Sequence, residues 1–225
     1  MPVMTRVDAF LRGRAEFSPA RAPSVGLGKL WTLAVVCGSF YGLVMGTYSG
    51  LSPGRWHQLL YSAAKVPLLL AVSFGLCVPV FFVSNSLRGL RTDFRVAIFA
   101  MTAMQACLAV VLAALAPVTL LAYASIGAYG AAVFFNGIVF AAASVSSLTV
   151  VARYYAPLIA QDPRHRFMIK VWLALYIFVG IPAAWVMRPF VGNPETPVAL
   201  LRPGAWGNAY IAVIKLTRQA LHEGL

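Results

Sequence analysis

Acid is scarce in this chain: Asp and Glu together number six in 225 residues, against 18 Lys and Arg. None of the six, Asp8, Glu16, Asp93, Asp162, Glu195 and Glu223, falls inside a long apolar run. Ion-coupled carriers and proton relays hold charge at membrane depth with ionisable side chains, so this distribution argues against a pump. Histidine is equally sparse. His57, His165 and His222 stand outside the apolar runs with no paired metal-ligand spacing, which speaks against a metal site and against histidine-based catalysis. The three cysteines, Cys37, Cys77 and Cys107, are odd in number, far apart and embedded in apolar sequence. Buried free thiols fit them better than a disulfide framework. No catalytic constellation, metal or cofactor is expected.

What the chain has in quantity is hydrocarbon. Hydrophobic residues make up 60% and charged residues 11%, with a mean hydropathy of +0.80, whereas soluble domains run at about 45–50% and 25%. A spanning helix takes about 20 apolar residues. The expected fold is therefore all-α: a polytopic membrane protein of about five transmembrane helices plus an amphipathic C-terminal helix. A basic segment over residues 1–29 precedes a five-span membrane domain over 30–187, and a tail over 188–225 follows it. The basic segment is too long and mixed for a secretory signal, so span one is expected to remain as an anchor.

Span one is placed at residues 30–48. A turn at Ser52-Pro53-Gly54 leads into residues 55–65, mixed enough for a short interfacial helix, with span two following at 66–86. Arg88, Arg91, Asp93 and Arg95 close span two in a polar loop. From Val96 to Ala152, 57 residues pass without a charge, about twice the length one span needs, so two helices must form a hairpin there. Ser125, Gly127 and Gly130 put its break within 123–130. Arg153 is expected to end span four, and Asp162-Pro163 to cap span five at 167–187. In the tail, Lys215, Arg218, Gln219 and His222 share a face opposite Trp206, Tyr210, Val213, Ile214 and Leu221. That pattern is an interfacial amphipathic helix, with a sixth span as the alternative.

The most specific local pattern lies in span one, where Ala34, Gly38, Gly42, Gly46 and Gly50 recur every four residues. Such a stripe lets another helix backbone approach closely, within the same bundle or between molecules. Among uncharged polar residues, Gln105 and Asn136 are the costliest to bury and are expected to make an interhelical polar contact with each other or with a partner helix. Pro79, Pro117 and Pro182 are read as kinks. Lys65, Arg88, Arg91 and Arg188 sit at span ends and are expected to meet lipid headgroups, Lys65 by snorkelling.

The net charge of +12 is explained by these flanking cations, and no recognition motif points to nucleic acid. With five spans and the N-terminus inside, twelve basic residues fall on the cytoplasmic side and six on the other, which orients the chain.

Three stretches, Lys65-Val66-Pro67-Leu68-Leu69-Leu70, Asn85-Ser86-Leu87-Arg88-Gly89-Leu90-Arg91 and Ala184-Trp185-Val186-Met187-Arg188-Pro189-Phe190-Val191-Gly192, resemble segments of an uncharacterised family of bacterial multi-span inner-membrane proteins. The layout of a basic N-terminus followed by five spans is similar to that of Yip1-type membrane proteins, which act in trafficking or membrane organisation. The resemblances imply an inner-membrane location and carry no site residues across. The functional expectation is a non-catalytic structural or accessory subunit whose partners are lipids and other membrane subunits or copies of itself. A transporter or channel for a neutral or lipidic substrate is the alternative.

Overall fold

The computed structural model describes residues 26–51, 53–193, 195, 197, 198 and 201. The basic segment up to residue 25, the amphipathic pattern of 206–221 and His222 lie outside them. The described residues form six α-helices, in order α1 Leu27–Gly50, α2 His57–Leu87, α3 Phe94–Ala114, α4 Ala116–Ser125, α5 Tyr129–Gln161 and α6 His165–Val186. All but α4 are long and apolar enough to cross a membrane. No strand occurs among the described residues.

Two expected boundaries are corrected. Residues 55–65 form no separate interfacial helix, because α2 runs unbroken for 31 residues through Pro67 and Pro79. At 1.5 Å per residue it is roughly 46 Å long, so it includes both a span and an extension beyond the hydrocarbon. Likewise α5 does not stop at Arg153 but continues through Pro157 to Gln161. The hairpin turn falls at 126–128, inside the expected window. An additional break at Leu115, two residues before Pro117, separates α4 from α3. Proline has no N–H to donate to the preceding turn, so the helix is divided there, although Leu115 keeps helical dihedrals and the Thr119 N–H still bonds its carbonyl.

Helix α3 is the centre of the bundle. Ala97, Ala100, Ala103, Ala106 and Ala109 recur every third residue, all fully buried, so neighbours approach it on several sides without side-chain bulk. Helix α1 packs against α2 and α3, α3 against α5, and α2 against α6. The inward face of α5 reads Ala132, Asn136, Val139, Ala143, Ser147, Val150, Tyr154 and Leu158, a spacing of threes and fours that keeps one side turned to the bundle. Helix α6 is peripheral, burying only His165, Met168 and Trp172.

Two apolar clusters fill the interior. One centres on Phe74, Phe81, Phe99, Met101, Tyr155 and Trp172. The other joins Tyr41, Met45, Leu70, Leu112 and Val139 to Val191, a residue beyond the end of α6. The chain past α6 therefore turns back into the bundle.

Candidate functional site

Close approach of α1 and α2 begins the site. A Cβ on Gly46 would lie 2.7 Å from the Leu59 Cα, and one on Gly42 would lie 2.8 Å from the Ala63 Cα and closer still to the Ser62 carbonyl oxygen. Neither position admits a side chain. Gly38 differs, since a Cβ there would meet Pro67 at an ordinary 3.6 Å; Ala34 is buried, and Gly50 ends the helix.

The paired helices leave a polar step, Gln58, Ser62 and Lys65, one turn apart on α2 and all buried. Onto it docks the strap 188–193, which begins with a cis Arg188-Pro189 peptide. The Lys65 Nζ donates to the Pro189 carbonyl at 2.6 Å, and the Ser62 hydroxyl and Gln58 Nε2 donate to the Phe190 carbonyl at 2.5 and 3.3 Å. The Tyr129 hydroxyl reaches the Val191 carbonyl at 3.2 Å, and Arg55 Nη2 reaches that of Asn193 at 2.6 Å. Gly192 lies so near Ser49 and Gln58 that a Cβ would clash with both. A short non-helical segment has carbonyls to satisfy away from water, and α2 supplies the donors.

Lys65 is thus a correction to the headgroup expectation. It is 2% exposed and turned inward to a strap carbonyl, because the strap offers an acceptor closer than the headgroup layer. The other three cations lie over aromatic rings: Arg88 over Phe167 at 3.8 Å, Arg91 over Phe82 at 5.8 Å and Arg188 over Trp185 at 3.6 Å.

Beside the strap opens a cavity of about 540 Å³, lined by Met45 of α1, Leu69 of α2, residues between Tyr129 and Phe140 of α5, Ala184 of α6, and Arg188 to Val191. Its wall is almost wholly apolar, with Arg188 and Asn136 as polar exceptions.

Gln105 and Asn136 do not bond to each other; each engages tyrosines on other helices. The Tyr176 hydroxyl of α6 donates to Gln105 Oε1 at 2.9 Å, while Gln105 Nε2 has no acceptor among the described residues. The Tyr41 hydroxyl of α1 donates to Asn136 Oδ1 at 3.0 Å, and Asn136 Nδ2 donates to the Tyr123 hydroxyl at 2.6 Å and the Ala132 carbonyl at 2.7 Å. Asn136 thereby ties α1, α4 and α5 together.

At the opposite end of the bundle lies a contact that sequence reasoning missed. His165, the first residue of α6, is fully buried, with Nδ1 3.2 Å from the Tyr155 hydroxyl and Nε2 3.2 Å from Asp93 Oδ2. It begins α6 and is turned inward, with the 162–164 turn bringing it against α5. In that turn Asp162 accepts from the Arg164 backbone N–H at 2.9 Å and pairs with its guanidinium at 2.6 Å. The Arg164 side chain and backbone N–H hold the Asp162 carboxyl below its ordinary range. Arg164 Nη1 also donates to the Arg88 carbonyl at 2.8 Å, joining the two loops at this end. Partners more than 70 positions apart in sequence leave no local signal for such a clip.

Among the described residues, no three His, Cys, Asp or Glu side chains group as metal ligands, and the three cysteines are free thiols. Compared with known proteins, the chain matches no family model, no curated protein and no solved structure.

Proposed function

We propose that this chain is a non-catalytic, multi-pass protein of the bacterial inner membrane, N-terminus in the cytoplasm, serving as an accessory or organising component among membrane lipids and other membrane subunits or copies of itself. The observation that carries this reading is the use made of polar groups within the spans. Lys65, Ser62 and Gln58 hold the strap, Asn136 joins three helices, and Gln105 accepts from Tyr176. Polar groups spent on tying helices together build a rigid body more readily than a reaction site. Helix α6 has only 11% of its apolar window buried within the chain, against 72% for α3, leaving its apolar flank for lipid or a partner helix.

The test is extraction of the native membrane in mild detergent, followed by size analysis and mass spectrometry of what travels with the chain. Stoichiometric co-purification with a larger assembly is the expected result. A chain that migrates alone in every mild detergent would sink the accessory reading.

The half-open cavity beside the strap favours a second reading, a carrier for a neutral or lipidic substrate. Flux of such a substrate into proteoliposomes containing only this chain would support it, and abolition of that flux by filling the cavity would place the path.

A further inference from the structure

We infer that the cavity beside the strap binds one acyl chain of an anionic phospholipid taken from the surrounding bilayer, with the lipid phosphate at Arg188. The inference concerns occupancy of a site and holds whether or not the protein moves lipid.

Shape is the first ground. The cavity, about 540 Å³, falls within the roughly 300–1,000 Å³ of sites that take small molecules. Its volume exists because two glycines of α5, Gly130 and Gly137, present no side chain to it, and a Cβ at either would meet no atom within 4 Å. Phe140, Val133, Leu69 and Met45 contribute apolar wall suited to methylene groups. Phe134 of α5, 71% exposed, belongs to the lining, from which we place the mouth on the outer face of that helix. That face belongs to a helix long and apolar enough to span, so the medium at the mouth is hydrocarbon and a lipid tail enters laterally without crossing water.

Charge is the second ground. Arg188 lines the cavity at the strap, its guanidinium seated over the Trp185 ring. Lys65 and Arg55 grip the same strap from α2 and the loop before it. The acids Asp93 and Asp162 sit at the other end of the bundle, which leaves Glu195 as the described acid on the strap side. Arg188 is thus the cation that lines the apolar pocket, and a guanidinium there favours an anionic amphiphile, since it recognises phosphate with directed hydrogen bonds as well as charge. A zwitterionic lipid offers the same tail but a net-neutral head, so Arg188 discriminates against it.

The test reconstitutes the full chain in nanodiscs containing phosphatidylcholine and phosphatidylglycerol at equal fractions, then releases it for native mass spectrometry and counts the lipids retained. Wild type is expected to retain one phosphatidylglycerol per chain, in preference to phosphatidylcholine. Gly137→Leu fills the cavity and is expected to lose the retained lipid. Gly75→Leu, which adds the same bulk at another open helical position away from the cavity, is expected to keep it. Arg188→Gln leaves the cavity intact and is expected to cut the headgroup preference roughly fivefold, the weight of about one cation at a membrane surface. Thermal unfolding of each variant in detergent guards against loss of fold. Equal retention by wild type and Gly137→Leu, with both folded, overturns the inference. So does retention indifferent to the headgroup, which would mark a neutral lipid at an unselective groove. Loss of co-purifying subunits with lipid retention unchanged would instead count against the accessory role alone.

Discussion

Glycine at 42 and 46 is required by distance and not by backbone angle. Gly42→Leu should force α1 and α2 apart and cost about 3 kcal/mol or more, beyond ordinary overpacking because the obstacle is backbone. Gly38→Ala should be neutral or mildly stabilising, since its Cβ has room and alanine favours helix by up to about 1 kcal/mol. Detergent melting followed by size exclusion compares the two, and equal melting would remove the close-approach argument. The Asp162 carboxyl offers a pH-dependent case. Its native pKa lies below its ordinary value because Arg164 binds the ionised form, so its contribution is present above the unfolded pKa and is lost as pH falls through the native one. Asp162→Asn should therefore lower stability near pH 7, change it little at low pH where the native carboxyl is already protonated, and so flatten the acid limb of the stability profile. An unchanged acid limb would show that the turn does not depend on the carboxylate.

Between elements, two clasps decide how helices meet. The strap 188–193 is held by side chains of α2 and α5, so the double variant Ser62→Ala with Lys65→Met should loosen it while leaving the helices formed. The expected readout is a rise of about tenfold in thiol labelling of Val191→Cys, the population change of about 1.4 kcal/mol, near the worth of a buried hydrogen bond. Labelling that stays flat would mean that the apolar contacts of Phe190 and Val191 hold the strap unaided. At the other end, His165→Ala opens a cavity and strands both Tyr155 and Asp93, at an expected cost of about 2–4 kcal/mol. Asp93→Asn keeps an acceptor for Nε2 and should cost less. If the two variants melt together, the histidine acts through bulk and not through its bonds.

For the whole molecule, five spans imply that the two loop ends of the bundle face opposite compartments. The loop at 88–93 and the turn at 162–164 sit at one end, and residues 53–56 at the other. Thr92→Cys should react with an impermeant thiol reagent only in inverted vesicles, and Trp56→Cys only in right-side-out vesicles, given the cytoplasmic excess of basic residues. The reverse pattern would invert the molecule and place the strap and its cavity on the cytoplasmic face.

How much of this was legible in the sequence follows from the range of each interaction. The number of helices long and apolar enough to span, the forced hairpin in the uncharged stretch and the all-α class were determined by the sequence alone. Transfer of side chains to hydrocarbon is close to additive, and a helix is the local way to satisfy backbone groups in lipid. The mixed composition of residues 55–65 and the charge of Arg153 misled at the ends of α2 and α5, where the helices run through both because packing and internal bonding outweigh a local preference. Only the tertiary structure decided where Lys65 points, what His165 touches and where a cavity opens. Those facts rest on contacts such as Lys65 with Pro189, 124 residues apart, and on space left by Gly130 and Gly137, which no local period encodes. A lysine at a helix mouth reads as a snorkelling residue until the chain beyond the last helix returns to give it a carbonyl.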